Sequence, residues 1–296
     1  MNDTSDPILT LSAGALVLDL APSVGGIIAG FRHGNTLLMR APDIAAIKGG
    51  SPRGGASWPL VPYSNRIRDG RFPWRGNIVT LAKDVLSTDH AIHGNGWRRP
   101  WSVHNLSESG VLLKQRHAGD DFWPFSYEAQ QGYALTAAGF TLWMAVTNRS
   151  DGPMPAGLGH HPYFHRSDDV RLRVAAREMW DADEQRFPVR RVPVPPAMDF
   201  STDRAISTAS GDAVLVGWER PARITWPAAG LALEIDAAAI YDRLVVFIPP
   251  GQPFFAVEPV SHDTDAFNRP KDDSGVKILA PGETLQGEMK FAVSRL

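Results

Sequence analysis

Apolar residues recur at every second position in short runs, and turn signals interrupt those runs about every ten residues. The stretch ALVLDLAP (15–22) alternates as a half-buried strand does. IIAGFRHGNTLLMR (27–40) reads as two strands joined at His33-Gly34-Asn35. In YALTAAGFTLWMAVTNRS (133–150) the alternation puts Phe140, Leu142, Met144 and Val146 on one face. ARITWPAAGLALEID (222–236) turns at Ala228-Ala229-Gly230, and RLVVFIPPG (243–251) and EMKFAVSRL (288–296) supply two further strands. The 24 prolines and 27 glycines are spread along the chain, which suits many turns and few long helices. The pattern predicts an all-β chain, folded as a large antiparallel β-sandwich. The proline-rich FPVRRVPVPPAMDFS (187–201) resembles a linker in composition. Strand-like patterns of one kind flank it on both sides, so it is read as a long loop, and residues 1–296 as one domain.

Composition excludes several classes of function. A formal net charge of −2 leaves no electrostatic footprint for nucleic acid or an anionic membrane. With no cysteine, there are no disulfides, thiolate metal sites or cysteine nucleophiles. The opening MNDTSDPILTLSAG lacks the basic and apolar regions of a signal peptide, and no apolar run is long enough for a spanning helix. A cytoplasmic protein, either monomer or homodimer, is expected.

The segment GLGHHPYFHR (157–166) gathers His160, His161 and His165 into ten positions. A metal site is one reading, since His161 and His165 have the i, i+4 spacing of a helical ligand pair. Pro162 and the aromatic pair after it favour extended chain, and no HExxH pattern accompanies them, so no metal is expected. Neither a serine-nucleophile elbow nor a phosphate-cradling loop occurs.

Four other stretches contain polar residues in apolar or glycine-rich surroundings. GGASWPLVPYSNRIRDGRF (54–72) carries Asn65 and Arg66, and AIHGNGW (91–97) sets His93 before two glycines and Trp97. FFAVEPVSHDTDAFN (254–268) ends an apolar run on Glu258, where poor solvation raises a carboxyl pKa and suits it to proton transfer. SGDAVLVGW (210–218) offers Asp212. Each stretch alone also reads as a plain feature: a surface arginine, a solvated loop histidine, a strand-end glutamate, a turn aspartate.

Taken together, SNRI, HGNGW, HHPYF and VEPVSH, with the opening VGGIIAGFRHGNTLLMR, resemble the aldose 1-epimerase (galactose mutarotase) family over most of the chain. The resemblance implies a metal-free, cofactor-free isomerase that interconverts the α and β anomers of a free aldose. Within HHPYF it selects His161, two positions before the tyrosine, as the functional histidine and leaves His160 and His165 as neighbours. It implies Glu258 as base at the anomeric hydroxyl, His161 as acid at the ring oxygen, and His93 as a further active-site group. Asn65, Arg66, Asp212 and Trp97 are the implied substrate-binding residues, Trp97 as a stacking surface. Asp212 departs from the family pattern, because Leu215 stands where an aromatic is expected.

Three other readings stay open. Arg53 near Arg66 would suit a hexose-6-phosphate 1-epimerase. The same fold serves as a non-catalytic carbohydrate-binding domain. A glycosidase would pair Asp212 with Glu258 and leave the histidines without a role.

Overall fold

The computed structural model describes residues 6–83, 89–269 and 273–296. The molecule is an all-β, antiparallel sandwich dominated by one 15-stranded sheet. The path of that sheet runs from Ser102–His104 through Gly110–His117, Tyr127–Thr136 and Gly139–Asn148 to Thr284–Arg295. It continues through Leu231–Ala237, Gly211–Trp226, Arg243–Ile248 and Phe254–Val260 to Gly159–His160 and Pro59–Leu60. A second sheet of four strands, from Leu9–Ala13 to Thr36–Leu37, covers part of it. Among the described residues the only α-helix is the short Ile44–Lys48.

The period-two pattern accounts for the core. Phe140, Leu142, Met144 and Val146 are all buried, and so are the alternate residues Leu285, Gly287, Met289 and Phe291 of the last strand. Phe140 joins the two sheets: its ring stacks on Phe291 at 4.5 Å and meets Phe31 edge-on at 4.9 Å. The expected turns form where the glycines are. His33 pairs with Thr36 across Gly34-Asn35, and Gly230 closes the 227–230 turn at φ +64°.

One sequence expectation is corrected. The 187–201 segment is not all loop, because Pro188–Val192 forms an edge strand along Arg171–Ala182. Proline is tolerated at the first residue of an edge strand, where its missing N–H breaks no ladder. The tight 183–187 connection is held by Asp183, whose Oδ1 accepts from the N–H groups of Gln185 and Phe187. This hairpin carries Trp180 and Arg186 to one end of the sheet.

His160 belongs to the core. Its Nδ1 meets Ser57 Oγ and its Nε2 lies 3.3 Å from Gln131 Oε1, while Gln131 Nε2 donates to the Gly26 carbonyl at 3.0 Å. Burial lowers its pKa from 6.5 to about 3. The folded state therefore keeps the ring neutral where the unfolded chain protonates it, so stability is lost as pH falls from 6.5 towards 3. Replacing His160 with Asn should make that acid-side loss shallower in thermal melts from pH 7 to pH 4; an unchanged slope would rule the role out. Replacing Phe140 with Ala should cost about 3–5 kcal/mol by urea unfolding, and a loss under about 1 kcal/mol would contradict its bridging role.

Candidate active site

Strand register alone brings three of the candidate residues, His161, Glu258 and Asp212, to one place. Gly159 pairs with Val260 and Tyr163 with Ala256, so the residue midway, His161, stands opposite Glu258. Pro162 interrupts the ladder between them, since it has no N–H to give. Glu258 in turn pairs with Val245, and Val245 with Val214. Cross-strand partners share a face and so do residues two apart, which sets Asp212 on the same side as Glu258.

Glu258 is 3% exposed and His161 6%. Glu258 Oε1 lies 3.2 Å from His161 Nε2, and the Tyr163 hydroxyl lies 3.3 Å from the same nitrogen. The Tyr163 ring stacks on the imidazole at 4.4 Å, and the Arg40 guanidinium lies 4.4 Å from the centre of that tyrosine ring. Burial pushes the Glu258 pKa well above the ordinary carboxyl value, the Asp212 charge adds to the rise, and Arg66 opposes it. Burial pulls His161 down to about 3, with Arg40 contributing. Both directions favour neutral side chains, so this is a hydrogen-bonded pair holding one transferable proton rather than a standing ion pair.

His93 and Asn65 form a clasp beside the pair. Arg66 pairs with Ile92, which brings the two loops together; His93 N–H donates to the Asn65 carbonyl at 2.9 Å, and Asn65 N–H to His93 Nδ1 at 3.0 Å. Both residues adopt left-handed backbone, with φ of +57° for Asn65 and +62° for His93. Asparagine and histidine tolerate that region better than most, and such strain persists only where surrounding contacts fix it. Gly94 follows at φ +67°, so close to Val61 that a Cβ would lie 2.4 Å from its carbonyl oxygen. Burial first, then the neighbouring His161 and arginines, hold the His93 pKa well below normal. With Nδ1 accepting, the neutral ring carries its proton on Nε2. That ring lies 5.4 Å from the His161 ring.

Arg66 lies within electrostatic reach of both Asp212 and Glu258; burial lowers its pKa and the two carboxylates oppose that. Asp212 is raised by burial, against Arg186 and Arg66, and Arg186 Nη1 stands 3.8 Å from its Oδ2. A narrow cleft at this point is lined by Asn65, Arg66, Trp180, Arg186, Asp212 and Thr264.

The three clustered histidines therefore separate: His160 into the core, His161 to the carboxyl, and His165 to the strand end, where its carbonyl accepts from Trp226 Nε1 at 3.0 Å. Trp97 departs from the expected open stacking surface. The residue is 4% exposed, its ring stacked on Trp58 at 5.5 Å with the Arg98 guanidinium 4.5 Å from its centre. Sequence reasoning gave no role to Trp58, Arg40, Tyr163, Trp180 or Arg186. Trp58, Tyr163 and Arg40 stood inside quoted stretches, whereas the 180–186 hairpin reaches the site only through long-range packing.

Comparison with known proteins identifies the family. The family model for aldose 1-epimerase matches residues 7–292. The uncharacterised Escherichia coli protein YphB is 31% identical, covering 98% of this chain and 99% of its own. A crystal structure of a candidate aldose 1-epimerase from Escherichia coli superposes with a TM-score of 0.89 at 31% identity, over 98% of this chain and 99% of that one. A galactose mutarotase-like protein from Clostridium acetobutylicum gives 0.87 at 19% identity, over 98% and 95%. A match of this extent, over a site built in this way, places the chain in the aldose 1-epimerase family.

Proposed function

We propose that the protein is a mutarotase, interconverting the α and β anomers of a free aldopyranose. The observation that carries this reading is the buried Glu258–His161 pair, 3.2 Å apart, with His93, Arg66 and Asp212 around it. Ring opening needs one proton removed from the anomeric hydroxyl and one delivered to the ring oxygen. Glu258 takes the first and His161 gives the second; the C1–O5 bond breaks as the C1 carbonyl forms. The aldehyde turns about C1–C2, and both transfers reverse on its other face.

Those roles require the carboxylate–imidazolium form, which differs from the neutral pair only by moving one proton across 3.2 Å. No proton enters or leaves the site, and sugar hydroxyls entering beside the pair stabilise the charge-separated form. The Nε2–H of His93 donates to a sugar oxygen in this mechanism. Arg66 favours the ionised carboxylate, and Asp212 accepts from hydroxyls at the far edge.

Polarimetry of freshly dissolved aldoses tests this reading. Free hexoses should be turned over with higher kcat/KM than their 6-phosphates. Replacing Glu258 with Gln should depress kcat by about 10²- to 10⁴-fold while sugar binding largely persists. His161→Asn should act in the same way and His160→Asn far less. Near-normal turnover by a folded Glu258→Gln variant would remove the basis of the proposal.

A further inference from the structure

A pyranose presents hydroxyls around its edge and C–H groups on its faces. The groups so far assigned, namely Glu258, His161, His93, Arg66 and Asp212, all address the edge. Resting on the mutarotase reading above, we propose that Trp58 is the platform against which the apolar face of the sugar lies, and that it governs how tightly the pyranose is held.

Three rings touch the His161 imidazole: Tyr163, Trp58 and His93. Tyr163 is 7% exposed, being covered by Arg40 and Phe254. His93 contributes a polar edge. Trp58 alone of the three is an apolar ring that remains partly open to solvent, and its centre lies 5.1 Å from that of His161. A sugar seated with its ring oxygen at His161 Nε2 has this indole beside it.

The indole is also fixed in place. Its Nε1 donates to the Pro52 carbonyl at 2.7 Å, and Trp97 backs it in a stacked arrangement at 5.5 Å. The Trp58 carbonyl accepts from the His161 backbone N–H at 3.0 Å, and the Ala56 carbonyl from Tyr163 N–H at 2.8 Å. Platform and acid are thus two residues of one short backbone pairing, so their spacing does not depend on a mobile loop. A rigid aromatic contributes contact area with few torsions to freeze, and a guanidinium, that of Arg40, lies 5.7 Å from its ring centre. Stacking of this kind acts alike on the bound sugar and on the transition state, so it belongs in KM rather than kcat.

Two measurements on Trp58→Leu and Trp58→Phe test the assignment. The first is the kinetics of anomer exchange, resolved into kcat and KM. The second is calorimetric binding of 1,5-anhydrogalactitol and 1,5-anhydroglucitol, which keep the pyranose ring but lack the anomeric hydroxyl and cannot open. Trp58→Leu should raise KM and the anhydro-sugar Kd together, on the order of 10- to 100-fold, with kcat changed only a few-fold; Trp58→Phe should recover most of the loss. If the leucine variant does not fold, Trp58→Gln replaces it with the same expectation. Unchanged binding and KM in a folded variant would overturn the assignment, and so would a loss confined to kcat. Should the wild-type protein neither turn over aldoses nor bind the anhydro-sugars, the mutarotase reading falls, and this inference with it.

Discussion

Two ionisable side chains, Glu258 and His161, are buried against each other at a point where the dominant sheet could have placed apolar residues. A charged carboxylate or imidazolium in such surroundings is costly. The site meets that cost by leaving both groups neutral with one transferable proton between them. The neighbouring features follow from this arrangement. Arg66 and Asp212 act on Glu258 in opposite directions, so its proton is held by a balance. Tyr163 and Arg40 stack behind His161 and keep its Nε2 towards the carboxyl.

Antiparallel pairing supplies the precision this needs. His161 and Glu258 come from segments about a hundred residues apart, yet register sets them opposite each other as firmly as neighbours in a hairpin. Asp212 is held by the same register, on the strand Gly211–Trp226, whereas the Asn65–Arg66 and His93 segments are fixed by other means. The Asn65–His93 clasp uses two left-handed residues and reciprocal hydrogen bonds, and Gly94 permits the close approach to Val61.

Much of this was legible in the sequence, for identifiable reasons. The fold class followed from period-two alternation and turn residues, which are local signals, as at Phe140–Val146 and Gly230. The motifs named Glu258, His161, His93, Asn65, Arg66 and Asp212, and the structure gathers these around one end of the sheet. What remained hidden depends on contacts between distant segments. Pro188–Val192 looked like loop because its prolines mask an edge strand, and that concealed Trp180 and Arg186. Trp97 looked like an open stacking surface because nothing local reveals that Trp58 and Arg98 cover it. Arg40 ends the VGGIIAGFRHGNTLLMR stretch, but nothing local shows that its guanidinium folds onto the Tyr163 and Trp58 rings.

In this mechanism catalysis uses one proton shared within a buried pair, and kcat/KM for anomer exchange against pH, corrected for the uncatalysed rate, reports the state of that proton. Burial lowers His161 to about 3 and lifts Glu258 well above 4.5, so the singly protonated pair spans the interval between. Activity should be on a plateau while that proton is retained and should fall as pH rises through the elevated Glu258 pKa. A rate that instead climbs with pH through the ordinary carboxyl range near 4.5 and then holds constant into strongly alkaline solution would show Glu258 acting as an ordinary exposed base, and would contradict the account.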